Sequence, residues 1–66
     1  MRVTVNGESR DLDASLSVAD LVRSLSLSAG RIAVEINEEV VPRDAYAARR
    51  LAAGDRVEIV HFVGGG

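Results

Sequence analysis

The chain has 66 residues, 47% of them apolar, and a formal net charge of −2 from eight basic and ten acidic residues. A chain of this length forms one domain that buries about 60% of the surface its unfolded form exposes, which leaves little room for a deep pocket. It has no cysteine, which excludes a disulfide framework, a thiolate metal site and a cysteine nucleophile, and its mixed charges lack the basic surface that nucleic-acid binding requires.

The first twelve residues predict a β-hairpin. Val3 and Val5 alternate with polar residues, and Asn6-Gly7 then supplies the two positive-φ residues of a type I′ turn. The second strand, from Glu8 to about Leu12, is polar apart from Leu12. Such a strand is expected at a solvated sheet edge.

One main helix is predicted after the hairpin. Ser17 is placed to cap it, and Asp20, three residues later, completes a shortened capping box. The apolar residues that follow recur at helical spacing; they are Val18, Leu21, Val22 and Leu25. This stripe would pack on a sheet, and the loop 26–30 would end the helix.

Two more strands are predicted in the middle of the chain. Residues 31–37 alternate, and their inward positions are apolar; these are Ile32, Val34 and Ile36. A turn at Asn37-Glu38 leads to a short strand at Val40-Val41. Residues 42–46 then predict a single helical turn, with Pro42 at its first position.

The turn signal Ala53-Gly54-Asp55 leads into a last strand, residues 56–62. Apolar strands occupy the centre of a sheet, so this strand is expected beside the first one, in parallel. The order of elements predicts an α+β protein with the ubiquitin-like β-grasp fold: a mixed sheet of about five strands with the helix across one face. Residues 1–66 form one domain, in which residues 63–66 are expected to be a flexible C-terminal tail.

The phase of the last strand predicts an exposed docking surface. If Val57 and Ile59 face the helix, then Glu58, Val60 and Phe62 lie on the opposite face of the sheet. Phe62 is the expected anchor for a partner. The alternative is that a β-bulge returns Phe62 to the core.

Other side chains have ordinary structural interpretations. His61 is interpreted as a partly exposed strand residue, because no serine, cysteine or paired carboxylate accompanies it in sequence. Tyr46 is expected to pack over the end of the core. Arg49-Arg50 reads as a solvated face that could contact an acidic partner, and Asp55 and Glu58 could steer a basic partner.

Three glycines, Gly64-Gly65-Gly66, end the sequence directly after the last strand. Glycine lacks a Cβ, so such an end suits a tail that enters a narrow site of another protein. Extended, Val63 to Gly66 reach roughly 13 to 14 Å at about 3.4 Å per residue. The alternative is a frayed end with no role.

Four stretches carry a resemblance to a known family. They are the opening strand with Asn6-Gly7, residues 33–37 with Val40-Val41-Pro42-Arg43 after them, residues 54–59, and residues 60–66. Through these stretches the chain resembles the ThiS family, the sulfur carrier proteins of thiamin biosynthesis. The resemblance covers the whole chain. Members of that family need only the last two glycines, so Gly64 is an addition.

The resemblance implies a carrier that is not itself an enzyme. Its Gly66 carboxylate is adenylated by an ATP-dependent enzyme of the ThiF type and converted to a thiocarboxylate, with a cysteine desulfurase persulfide as a possible sulfur donor. The sulfur then goes to a thiazole synthase of the ThiG type. ATP and Mg²⁺ belong to the activating partner, and this chain binds no cofactor or metal. The partner-contacting residues would be Val60 and Phe62 to Gly65.

Three alternatives stay open. One is the sulfur-carrying small subunit of molybdopterin synthase, another is a protein modifier joined to lysines as ubiquitin is, and the third is a binding module that only shares the β-grasp fold. No segment has the length of a signal peptide or a membrane span. We therefore expect a cytoplasmic protein whose partners include neither nucleic acid nor membrane.

Overall fold

The structure, a computed structural model, describes residues 1–62. Its elements are β1 (Arg2–Val5), β2 (Glu8–Asp11), α1 (Val18–Ser24), β3 (Ile32–Ile36), β4 (Glu39–Val41) and β5 (Arg56–His61). The five strands form one sheet in the order β2-β1-β5-β3-β4. β5 pairs with β1 in parallel, and the other pairs are antiparallel. The predicted fold and the central, parallel position of the last strand are confirmed.

The first hairpin closes as predicted. Asn6 and Gly7 have φ values of 49° and 83°, and Val5 lies opposite Glu8 across the turn. All four residues of β2 are exposed, as expected for an edge strand. The strand ends at Asp11 rather than Leu12, because Leu12 turns inward and packs partly buried against the core.

The capping box at the start of α1 is confirmed. The Asp20 N–H donates to Ser17 Oγ at 3.0 Å, and the Ser17 N–H donates to Asp20 Oδ2 at 3.2 Å. The Ser17 main-chain N–H, and then its hydroxyl, hold the pKa of the Asp20 carboxyl below its ordinary value. Leu25 ends the helix as its C-cap residue.

The second hairpin is also a type I′ turn, because Asn37 and Glu38 have φ values of 53° and 71°. A 3-10 helical turn, Ala29–Arg31, occupies the position where β3 was expected to begin, so the strand starts one residue later. The predicted helical turn is present as Arg43–Ala45. Pro42 is its N-cap and not its first helical residue, because its ψ of 146° continues the extended chain that leaves β4.

The core lies between α1 and one face of the sheet. Its buried apolar residues are Val3, Val5, Val18, Leu21, Val22, Ile32, Val34, Ile36, Val41, Tyr46, Leu51, Val57 and Ile59. Tyr46 is 5% exposed, so its predicted packing role is confirmed. Within residues 1–62, no helix combines the length and hydropathy that crossing a membrane takes.

Candidate functional site

β5 carries the chain from the core to the C-terminal glycines, and its two faces differ as predicted. Val57 and Ile59 are buried, whereas Val60 and Phe62 are 57% and 58% exposed. The ladder between β3 and β5 is continuous up to His61, and the Phe62 N–H donates to the Arg31 carbonyl at 2.9 Å. No bulge returns Phe62 to the core, so the prediction of an exposed Phe62 is confirmed.

The exposed apolar surface is wider than the sequence indicated. Val40 on β4 is 68% exposed. Val40 lies opposite Glu35 on β3. Ala33, two residues before Glu35 on the same strand, lies opposite Val60 on β5. Side chains at such direct and diagonal positions are neighbours on one face of a sheet. We call Ala33, Val40, Val60 and Phe62 the apolar patch.

Two carboxylates lie beside the apolar patch on the same open face. Glu58 is exposed as predicted, and it lies directly opposite Glu35 in the ladder between β3 and β5. Like charges at directly opposite positions destabilise a sheet. Neither carboxylate forms an ion pair within residues 1–62. The open face therefore places two carboxylates beside the apolar contact area, and Arg56, two residues before Glu58 on β5, adds a positive charge to the same face.

The prediction that Asp55 steers a partner is wrong. Asp55 is 7% exposed. Its carboxylate accepts from the Ala52 N–H at 2.8 Å and from Asn37 Nδ2 at 3.1 Å, and Arg49 Nη2 lies 3.6 Å from Oδ2. An aspartate commonly accepts from main-chain N–H groups of its own turn, and this one fixes the turn that leads into β5.

The two neighbouring arginines have partners within the molecule. Arg49 pairs with Asp55 and also donates to the Arg50 carbonyl. Arg50 Nη1 donates to the Ser15 carbonyl at 2.7 Å. The two arginines therefore hold the loop before β5 through these contacts. This role is additional to the solvent-exposed face that the sequence predicted for them.

Sequence reasoning assigned Asn6 only to a turn and missed its contact with β5. The Asn6 N–H donates to the Val57 carbonyl at 2.9 Å. Beyond that point, Asn6 Oδ1 accepts from the Ile59 N–H at 2.7 Å, and Asn6 Nδ2 donates to the Ile59 carbonyl at 3.2 Å. The side-chain amide thus replaces one further peptide unit of β1.

Asn37 holds the start of β5 in a related way. Its Oδ1 accepts from the Arg56 N–H at 3.0 Å, while its Nδ2 donates to Asp55. Both type I′ asparagines therefore brace the strand that precedes the tail. The only sequence signal for this bracing is that asparagine rather than glycine occupies the first position of both turns. Glycine would adopt the positive φ of that position equally well.

The remaining site predictions divide into two groups. His61 is exposed and lies opposite Ile32, in agreement with its interpretation as an ordinary strand residue. Val63, Gly64, Gly65 and Gly66 lie outside the described residues.

A cavity of about 380 Å³ lies between α1 and the loops on the helix side, and none of its lining residues belongs to β5.

Comparisons with known proteins agree with this architecture. The model of the ThiS family matches residues 3–66. A thiazole synthase of Paramagnetospirillum magneticum is 42% identical over 66 residues, which are 100% of this chain and 20% of that protein. The chain therefore spans about a fifth of the length of that relative.

Two shorter relatives match this chain over most of their own length. The sulfur carrier protein ThiS of Bacillus subtilis is 40% identical over 50 residues, 76% of each chain. The crystal structure of the thiamine biosynthesis protein ThiS of Geobacter metallireducens has a TM-score of 0.85 and 40% identity, with 100% of both chains covered. On the family match and this agreement of sequence and fold, the chain belongs to the ThiS family.

Proposed function

We propose that this chain is a sulfur carrier for thiazole formation in thiamin biosynthesis, with the sulfur held as a thiocarboxylate on Gly66. The observation that carries the proposal is the family match, which runs through residue 66 and so includes the terminal glycines. The name of the Bacillus subtilis relative, sulfur carrier protein ThiS, supports the same function.

The chemistry of a carboxylate explains why an activating partner is needed. An α-carboxyl group is ionised at neutral pH and is a poor electrophile, so a sulfur nucleophile does not displace its oxygen directly. Attack of the carboxylate oxygen on the α-phosphorus of ATP expels pyrophosphate and gives an acyl adenylate. A persulfide sulfur of the donor can then attack the carbonyl carbon, with AMP as the leaving group, which gives an acyl disulfide. Attack of a thiolate on the donor's sulfur then breaks the S–S bond, releases the thiocarboxylate on Gly66 and leaves a disulfide between that thiol and the donor.

This division of labour assigns the catalysis to the partners. The chain would be a co-substrate and not an enzyme, and it would bind neither ATP nor Mg²⁺ itself. An adenylating enzyme of the ThiF type would supply both, and Mg²⁺ there would neutralise the charge on the phosphates. A cysteine desulfurase persulfide is the proposed sulfur donor.

A thiazole synthase of the ThiG type is the proposed sulfur acceptor. In Paramagnetospirillum magneticum, a segment similar to this whole chain makes up 20% of a thiazole synthase. A carrier and the enzyme that it serves gain in effective concentration when they share one chain. That arrangement in a relative supports the same pairing here.

The apolar patch is the proposed docking surface for these partners. Phe62 and Val60 are more than half exposed, and Phe62 immediately precedes residues 63–66. Buried aromatic residues commonly dominate interface energies, which makes Phe62 the expected anchor. Val63, Gly64 and Gly65 would follow it into the partner's site, where glycine leaves room for close approach of the main chain.

Intact-mass spectrometry of protein isolated from cells with its native partners tests the carrier function. We expect a fraction in which one oxygen is replaced by sulfur, located on the C-terminal peptide. Removal of Gly65 and Gly66 should abolish this form. A variant that lacks only Gly64 keeps the terminal pair and is the matched control.

Other outcomes would favour other functions. Covalent adducts on lysines of other proteins would indicate a modifier. Full activity after removal of Gly65 and Gly66 would indicate a binding module and would refute carriage on the carboxylate.

A further inference from the structure

The two edges of β5 are covered to different extents. On one edge, β3 pairs with β5 from Val57 to His61, and the Phe62 N–H adds a bond to Arg31. On the other edge, β1 pairs only with Arg56 and Val57. Asn6 then extends this cover to Ile59 through its side-chain amide.

The direction of each main-chain group follows from alternation along the strand. Successive residues of a strand direct their N–H and C=O groups to opposite edges. The Val57 carbonyl and the Ile59 N–H and carbonyl bond toward β1, whereas the Phe62 N–H bonds toward β3. The N–H and carbonyl of His61 therefore point to the β1 side. His61 is the next residue to do so after Ile59, which is bonded to Asn6.

Nothing in residues 1–62 covers that position. The parallel ladder between β1 and β5 ends at Val57, and no main-chain or side-chain bond to His61 is formed from the β1 side. His61 is exposed. Within the described residues, the β1 side of β5 is therefore open at His61, beyond the hairpin turn at Asn6-Gly7.

We propose that this edge is a strand-addition site, at which an extended segment of the adenylating enzyme pairs with the His61 main chain in line with β1. The inference rests on the proposed function. Unpaired strand edges are templates for main-chain pairing, and such pairing recognises backbone rather than side chains. A site of this kind holds the strand in a fixed direction, with residues 63–66 leading into the reaction centre.

The position of the edge favours an enzyme segment as its occupant. The exposed side chains of Val60 and Phe62 flank His61 in sequence and lie on the open face of the sheet. An enzyme that covers these side chains and also takes residues 63–66 therefore lies next to this edge. Pairing at His61 alone gives far less contact than the roughly 1,200 Å² of a specific interface, so the occupant must bind elsewhere too, and under the proposed function the enzyme does so by taking residues 63–66.

The test compares variants that differ in the His61 N–H. His61→Pro removes the N–H, and proline is tolerated where a strand N–H faces solvent. His61→Ala removes the ring and keeps the N–H. A synthetic chain with an ester in place of the amide at His61 removes the N–H without restricting φ, so it serves if the proline variant is unstable. Urea unfolding establishes that each variant is folded.

The readout is ATP–pyrophosphate exchange by the adenylating enzyme at varied carrier concentration. We expect His61→Pro and the ester to raise KM about fivefold to tenfold over His61→Ala, as the loss of one main-chain hydrogen bond predicts. Ser9→Pro is a control for proline at a strand edge, because Ser9 lies on the outer strand β2, which β1 separates from β5. It should not change KM.

The possible failures are distinct. If the wild-type chain does not support exchange, the proposed function is wrong and the inference falls with it. If the wild-type chain supports exchange and the three His61 variants share one KM, the strand-addition site alone is refuted. It is also refuted if size-exclusion chromatography finds a wild-type dimer that His61→Pro converts to a monomer, since a second copy is then the occupant.

Discussion

Replacement of Asn6 by glycine tests the brace on β5 directly. Asn6 has a φ of 49°, a conformation that glycine adopts without strain, so the turn itself survives the change. What is lost is the pair of hydrogen bonds between the side-chain amide and Ile59. Each such bond contributes about 0.5 to 1.5 kcal/mol, so we expect Asn6→Gly to lower the free energy of unfolding by about 1 to 3 kcal/mol.

That loss is large for this chain. At roughly 0.05 to 0.15 kcal/mol per residue, a domain of this size has a total stability of about 3 to 10 kcal/mol. Urea unfolding measures the loss, and amide hydrogen exchange should locate it at the Ile59 N–H. Faster exchange is expected there, because water then reaches the N–H group that now donates to Asn6 Oδ1.

Ser26→Gly is the matched control for Asn6→Gly. Ser26 also has a positive φ, of 59°, and it is exposed. Glycine there relieves the conformation without removing a bridge to another strand, so stability should be unchanged or slightly higher. If both glycine variants are as stable as the wild type, the Asn6 amide does not brace β5 and the reasoning is refuted.

Three further predictions concern charge and docking. Hydrogen bonds from Ser17 lower the pKa of Asp20 in the folded chain, so the contribution of the Asp20 carboxylate to stability is complete above its unfolded pKa and is lost as pH falls through its folded pKa. Asp20→Asn should therefore flatten this part of a plot of the free energy of urea unfolding against pH. An unchanged plot would contradict the prediction. Glu35→Gln removes the repulsion with Glu58 and should raise stability by about 0.2 to 1 kcal/mol at low salt, an effect that a lower unfolding midpoint would exclude. Phe62→Ala should raise KM for the adenylating enzyme about tenfold and change stability by less than about 0.5 kcal/mol, and the reverse pattern would assign Phe62 to folding.

The parts of the fold that depend on neighbouring residues could be predicted from the sequence. The Asn6-Gly7 turn and the capping box need only local geometry, and both formed as expected. The alternation in β5 predicted which side chains face outward, since one buried residue in a strand fixes the phase of all the others.

The strand order could be predicted, but the exact register between strands and the side-chain contacts that depend on it could not. The alignment of Glu35 with Glu58 follows from the register between β3 and β5, which neither strand specifies alone. Asp55 was read as a surface acid because charge alone does not reveal that Asn37 and Arg49 converge on it. The second role of Asn6 arises because the hairpin turn lies beside a strand 53 positions away in the chain.

The parallel pairing of β1 with the C-terminal strand also determines how the protein resists mechanical load. A force applied along the axis of β5 loads the hydrogen bonds to β1 and β3 in shear, so they must break together rather than one by one. Core strands open only at free energies near that of global unfolding. A partner that binds the chain beyond Phe62, as the proposed function requires, can therefore bind and release it repeatedly without unfolding the domain.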